Sequence, residues 1–194
     1  MDDRFVLHII RHMPTAGNEQ RKYIGWTDEP IIATDVRCQI SAKVVVGSDL
    51  LRARQTAALY FPEAIYEANS NWRECHFGDF EGKTYDDLEK DMDYRRWIDD
   101  PYQNAPRGGE SLLVLEQRVL SALKRVSNDM VIVTHGGPIR LMLTRFSPID
   151  KEFWSWSIPH GTGYQMEWAS EKAFKEGQRC ISLSAVLITA NEAT

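Results

Sequence analysis

Two side chains at the end of one apolar run define the chemistry open to this chain. Arg11 and His12 close the stretch Phe5-Val6-Leu7-His8-Ile9-Ile10, and Met13-Pro14-Thr15-Ala16-Gly17-Asn18 follows with the composition of a loop. A guanidinium holds an anion through paired N–H donors, and a neutral imidazole beside it can attack that anion. The plainer reading of one histidine at a strand end is a hydrogen-bonded rim residue, so His12 decides little alone. His8 and His12 stand four apart, a spacing that on a helix suggests a metal pair. In a strand four residues rise ~13 Å, too far for one ion. No metal is expected.

The elements that must position these groups follow a repeated pattern. The first run is rich in β-branched and aromatic residues and almost continuously apolar, as in a parallel strand covered on both faces. Ligands of open α/β sheets bind at the carboxyl ends of such strands. A second strand, Ala42 to Val46, stops at Gly47-Ser48, and Ser48-Asp49 offers an N-cap for a helix to about Tyr60. Arg52 and Arg54 fall in its first turns, near the positive end of the helix dipole. A third strand, Met130 to Thr134, ends on His135-Gly136-Gly137-Pro138, with Pro138 suited to the first position of a helix to about Phe146. An arginine in a helix's first turn is usually a surface residue. Strand ends delivering Arg11-His12, Arg52 and His135 together are far more specific, and with a carboxylate they form a phosphate-handling set.

The remaining chain reads with less force. The loop Arg21 to Pro30 carries two cations and an aromatic pair, and forms one wall of the site if it leaves the strand end that bears His12. Thr34 to Ile40 is expected to be a short helix and Ala64 to Tyr66 a strand. Thr84-Tyr85-Asp86-Asp87 resembles a capping box opening an acidic helix to about Ile98. Leu112, Leu115, Val119, Leu123 and Val126 mark a long amphipathic helix. The tail alternates as a closing hairpin at a sheet edge. The expected fold is α/β, a three-layer sandwich of a mainly parallel sheet with helices on both faces. One domain spans 1–194, with a small lid insertion at 75–110 where apolar positions are few.

Composition narrows the partners. The 194 residues, 43% hydrophobic and 26% charged, suit an ordinary globular protein long enough to bury a core. A net charge of -5 argues against a general nucleic-acid or membrane surface, so an anionic substrate must meet a local basic pocket. Cys38, Cys75 and Cys180 form neither a disulfide framework nor a zinc pattern. The amino terminus lacks the basic start of a signal peptide, and the cytoplasm is the expected location.

Taken together, these motifs resemble the histidine phosphatase superfamily, the phosphoglycerate-mutase-like group. Arg11-His12 with Thr15 and Asn18 matches the family's Arg-His-Gly opening, and Tyr23-Ile24-Gly25-Trp26-Thr27-Asp28 its continuation. Ser48 to Ala57 resembles the segment bearing the second phosphate-binding arginine, Arg52. Arg73-Glu74 with Phe77-Gly78 and Glu81-Gly82 resembles the general-acid loop. Gly108-Gly109-Glu110-Ser111 and Thr134-His135-Gly136-Gly137 complete the order. Three departures stand out: Met13 replaces the family's glycine after the nucleophile, Pro14 lacks an amide hydrogen, and the segment from Pro30 to Val44 is short.

The resemblance implies a mechanism that physical chemistry supports. Arg11 and Arg52 fork onto phosphoryl oxygens and His135, if protonated, adds a donor, while neutral His12 attacks phosphorus to give a phosphohistidine. Glu74 is the candidate acid for the leaving alcohol and then base toward water, with Glu81 next in line. Thr15, Asn18, Tyr23, Gly25 and Gly136 are the candidate substrate-binding residues. His76 stands where the mutases carry a histidine; the plainer alternative is a rim residue. No cofactor is expected. Gly25-Trp26 and Glu74-x-His76 resemble the mutases, but only 33 residues separate His76 from Glu110, too few for their substrate-covering insertion. The short chain and Gly-Gly-Glu-Ser resemble the phosphatase branch, including the α-ribazole phosphatases of cobalamin synthesis. The expected function is therefore hydrolysis of a small-molecule phosphate monoester. Mutase-type transfer is the alternative and a catalytically dead phospho-ligand-binding module a third. A homodimer is compatible with all three.

Overall fold

The computed structural model describes residues 4–32, 34, 36–186 and 188–190. Among these residues eight strands run β1 (Phe5–Arg11), β2 (Val36–Cys38), β3 (Val44–Gly47), β4 (Ile65–Ala68), β5 (Met130–Thr134), β6 (Gly163–Trp168), β7 (Ser182–Val186) and β8 (Ile188–Ala190). Helices are α1 (Ala16–Glu19), α2 (Leu51–Tyr60), α3 (Tyr85–Leu88), α4 (Met92–Asp99), α5 (Leu112–Leu123), α6 (Gly136–Phe146) and α7 (Glu171–Lys175).

Six strands form one sheet in the order β4-β3-β5-β1-β6-β7, and β2 pairs with β8 in a separate ribbon. β3, β4, β5 and β1 are mutually parallel, whereas β6 runs antiparallel to β1 and pairs antiparallel in turn with the edge strand β7. Alternation along β1 divides the core. Phe5, Leu7 and Ile9 pack with Leu115, Val119, Ile139 and Leu143 of α5 and α6 on one face. On the other, Ile10 joins Val131, Val133 and Val45 against Ala53, Ala57 and Tyr60 of α2. The sheet is thus covered on both sides, as its near-continuous apolar strands require. The α/β sandwich expected from the strand pattern is the fold observed.

Several local expectations are corrected. Thr34 to Ile40 is not a helix: Asp35 lies outside the described residues, and Val36–Cys38 pairs antiparallel with Ile188–Ala190. A partner some 150 residues away, invisible to a local pattern, decides that choice. Ser48 does not cap α2; Leu50 occupies that position without a side-chain bond, and Ser48 Oγ accepts from the Leu50 amide at 3.2 Å. The capping box of Thr84 and Asp87 is present, but its helix stops at Leu88. Asp91 then caps a new one, accepting from the Asp93 and Tyr94 amides. Pro138 is the third residue of α6, after Gly136 and Gly137. The 75–110 stretch holds an aromatic cluster of its own, in which Phe80, Leu88, Tyr94 and Trp97 are buried. The tail strands β6 and β7 pair as expected at the sheet edge, joined through α7.

Candidate active site

β3, β5 and β1 lie side by side and parallel, so their carboxyl ends open onto one edge. That edge carries Arg11-His12, the turn into α2 and His135. The His12 and His135 rings stand 4.9 Å apart, centre to centre. His12 is 2% exposed, and its Nδ1 lies 2.6 Å from the carbonyl oxygen of Met13. Donation from Nδ1–H there fixes the tautomer and leaves Nε2 as the ring's lone-pair nitrogen. Burial, reinforced by Arg52 and Arg11, holds the His12 pKa well below the ordinary histidine value, so the ring is neutral. His135 is depressed for the same reasons.

Arg52 is fully buried. Its guanidinium donates to the carbonyls of Thr27 at 2.8 Å and Gly25 at 2.5 Å, so the 23–28 loop aims it. Glu81 braces that loop by accepting from the amides of Gly25, Trp26, Thr27 and Phe77. Burial pushes the Glu81 carboxyl up, but the Thr27 hydroxyl and these amides outweigh it and hold it below its ordinary value, so Glu81 is committed to bracing the loop. Arg11 donates to the Ile158 carbonyl, and burial lowers its pKa to about 10. Five buried nitrogens around His12 have no protein partner: Arg11 Nε, Arg52 Nε, both ring nitrogens of His135 and Nε2 of His160. Unpaired buried polar atoms are costly unless a ligand meets them, and a phosphoryl group offers several acceptors.

Glu74 reaches this edge from the loop after β4. Its carboxylate accepts from the Cys75 amide at 2.8 Å and the Gly137 amide at 3.0 Å. Arg118 of α5 holds the loop from behind, donating to the carbonyls of Asn71, Arg73 and Glu74. Glu110, the acidic residue of Gly-Gly-Glu-Ser, pairs with Arg118 and accepts from the His76 amide. The motif is therefore tied to the loop that carries Glu74.

The other expected residues divide. Gly136 sits among the charged groups: a Cβ there would meet Arg140 Nη1 at 3.0 Å and Arg11 Cζ and Glu74 Oε2 at 3.5 Å. Gly25 serves through its carbonyl on Arg52, and a Cβ there would lie 2.1 Å from the Cys75 carbonyl oxygen. Thr15 and Asn18 form a reciprocal cap at the start of α1, Thr15 Oγ1 accepting from the Asn18 amide and Asn18 Oδ1 from the Thr15 amide. Tyr23 turns into the aromatic cluster, its hydroxyl 2.6 Å from that of Tyr94. His76 stacks edge-on against Trp26 and accepts from the Gly78 amide. Met13 donates its amide to Thr56 Oγ1 at 2.8 Å and buries its sulfur beside the Tyr60 hydroxyl. Its backbone is thus turned toward α2.

Two residues at this edge escaped the sequence reading. Arg140, one turn into α6, donates from Nε to the Trp156 carbonyl at 3.0 Å. His160 stands 5.2 Å from the His12 ring, centre to centre. Beside Glu74, a cleft of about 40 Å³ is lined by Phe77, Trp97, Leu112, Phe153, Trp154 and Arg140. No helix among the described residues is long and apolar enough to cross a membrane.

Comparison with known proteins adds four similarities. The profile of the Histidine phosphatase superfamily (branch 1) matches residues 7–178. The chain is 30% identical over 181 residues to the uncharacterized phosphatase PhoE of Bacillus subtilis, covering 84% of this chain and 89% of that one. It is 29% identical over 161 residues to phosphoglycerate mutase-like protein 4 of Arabidopsis thaliana, covering 72% and 70%. The crystal structure of a putative alpha-ribazole-5'-P phosphatase from Escherichia coli superposes with a TM-score of 0.76 over 98% of each chain at 21% identity, a likeness of fold.

Proposed function

The chain belongs to branch 1 of the histidine phosphatase superfamily, and on that premise we propose that it hydrolyses a small-molecule phosphate monoester through a phosphohistidine on His12. The observation that carries this reading is the ring of buried, unpartnered nitrogens on Arg11, Arg52 and His135 around a neutral His12. His12 Nε2 attacks phosphorus in line, and the guanidiniums of Arg11 and Arg52 hold the charge that develops on the equatorial oxygens. His135 takes up a proton as the dianion arrives and becomes a third donor. Glu74 protonates the departing alcohol and then removes a proton from the water that cleaves the phosphohistidine. The small aromatic cleft beside Glu74 marks the side toward which the leaving group departs, bordered by Phe77 and Trp97 of the 75–110 segment of this single domain. Thr15, Asn18 and Tyr23 support the pocket walls.

The name of the Arabidopsis relative favours mutase-type transfer as a second reading. The short span from His76 to Glu110 favours the hydrolase. Three free cysteines suit a reducing compartment, and the cytoplasm is proposed.

A screen of phosphorylated metabolites for phosphate release tests the hydrolase. Activity should survive chelators, since arginines supply the charge. His12→Ala should abolish turnover and the acid-labile phosphoenzyme while leaving the fold intact; wild-type-like turnover in that variant would show another nucleophile. Phosphate passed to an acceptor alcohol rather than to water would establish the mutase. A chain that binds phosphate without either reaction would be a binding module.

A further inference from the structure

We propose that His160 is a further ligand of the phosphoryl group, donating from Nε2 to a non-bridging oxygen beside those held by Arg11 and Arg52. The inference rests on the phosphatase reading above and adds a residue to its site. His160 lies outside the motif segments that carry the resemblance. It is brought in by the antiparallel strand β6, whose Gly163 pairs with Ile10, so the segment leading into β6 arrives at the edge that carries His12.

The local chain is built to hold the ring there. Pro159-His160-Gly161-Thr162 forms a turn in which the Thr162 amide and hydroxyl both donate to the Pro159 carbonyl, the hydroxyl at 2.7 Å. Gly161 takes φ +70°, which the third residue of a type II turn requires. A Cβ at Gly161 would stand 2.4 Å from Met13 Sδ. The turn is tied to the nucleophile's own backbone: the Gly161 amide donates to the His12 carbonyl at 3.1 Å, and the Tyr60 hydroxyl to the Gly161 carbonyl at 2.9 Å. His160 Nε2 is nevertheless buried without a partner. His8 likewise leaves Nδ1 buried and unpartnered, but its Nε2 pairs with Gln165 and it stands on β1 away from the carboxyl edge, whereas the His160 ring lies 5.2 Å from that of His12.

The groups bearing on the ring are Arg11 and His12 at the end of β1, Arg52 of α2 and Arg140 of α6. Burial and these three arginines push its pKa down to about 3, so one ring nitrogen carries a hydrogen and the other none. In the tautomer that carries it on Nε2, no protein group is within hydrogen-bond distance to accept it. An arriving phosphoryl oxygen would accept it, and its charge would ease the repulsion from the arginines.

Calorimetric titration of inorganic phosphate into wild-type, His160→Ala and His160→Gln proteins tests the proposal without requiring turnover. Glutamine places an amide N–H near the position of Nε2, so the donor survives while the ring is lost. His160→Ala should weaken phosphate binding roughly 10- to 100-fold, the scale of a hydrogen bond to a charged group, and His160→Gln should restore most of it. Melting temperatures should stay within a few degrees of wild type. Wild-type phosphate affinity in His160→Ala overturns the proposal. So does equal loss in both variants with a lowered melting temperature, which would make the residue a scaffold for the turn. Failure of the wild-type protein to release phosphate from any ester, with phosphate binding intact, would end the hydrolase reading and leave this comparison standing.

Discussion

Adding one methyl group at Gly137 tests whether Glu74 is the acid. Gly137 is the second residue of α6, and its amide donates to Oε1 and Oε2 of Glu74 at 3.0 and 3.1 Å. A Cβ there would lie 2.2 Å from Oε1 and 3.2 Å from Leu115 Cδ2, caught between helix α5 and the carboxylate. Contact without repulsion needs ~3.4 Å, so the carboxylate must withdraw by about 1 Å. The carboxylate ends a flexible side chain, and it yields before the backbone does. Alanine also favours a helix over glycine, so stability should change by no more than ~1 kcal/mol. Misplacement of a catalytic group by ~1 Å costs on the order of 100-fold in rate. That loss should appear with an alkyl phosphate, whose alkoxide needs a proton, and shrink below ~10-fold with an aryl phosphate of an acidic phenol. A phenol burst followed by rapid mixing isolates the phosphorylation step, and Glu74→Gln should show the same contrast more strongly. Equal losses on the two esters, or a wild-type rate on the alkyl ester, would refute the role of Glu74 and the geometry that assigns it.

Arg52→Ala should cost on the order of 2–4 kcal/mol of transition-state stabilisation, read as kcat/KM, because it removes a preorganised donor and frees the Gly25 and Thr27 carbonyls that aim it. Arg118→Met should destabilise the fold by ~3–5 kcal/mol in urea, since Glu110 stays buried without its partner; adding Glu110→Gln should recover much of that. An Arg118→Met protein as stable as wild type would remove the brace behind the acid loop. The fold should also weaken in acid. Burial and the arginines hold His12, His135 and His160 below the ordinary histidine pKa, so the unfolded chain binds more protons. Stability from this source is complete above about pH 6.5 and falls as pH drops, for His160 down to about 3. The melting temperature should therefore decline from pH 7 to 5, and a flat profile would contradict the neutral-histidine site.

How much of the site was legible follows from the reach of each interaction. Arg11, His12, Arg52 and His135 each follow a strong apolar strand, and that adjacency is local. Because β1, β3 and β5 are parallel neighbours, residues just past their ends must converge. Glu74 was found through its motif; what holds it, the Arg118 guanidinium and the Gly137 amide, comes from α5 and α6 and has no local signature. Thr15, Asn18 and Tyr23 look in sequence like pocket residues; the structure adds that Thr15 Oγ1 and Asn18 Oδ1 also cap α1 and that the Tyr23 hydroxyl pairs with Tyr94, contacts that local spacing does not show.

The sequence by itself determined the α/β architecture, the three strand ends and the chemical set they present, because alternation, helix periodicity and loop composition are short-range properties. Tertiary structure alone decided which other groups join them. The antiparallel direction of β6 brings the Pro159-His160-Gly161-Thr162 turn to His12, and α6 lays Arg140 across Gly136. The pairing of Val36–Cys38 with Ile188–Ala190 overrides the local helix expectation in the same way. Strand direction and partner choice depend on contacts between residues far apart in the chain, where a local pattern carries no signal.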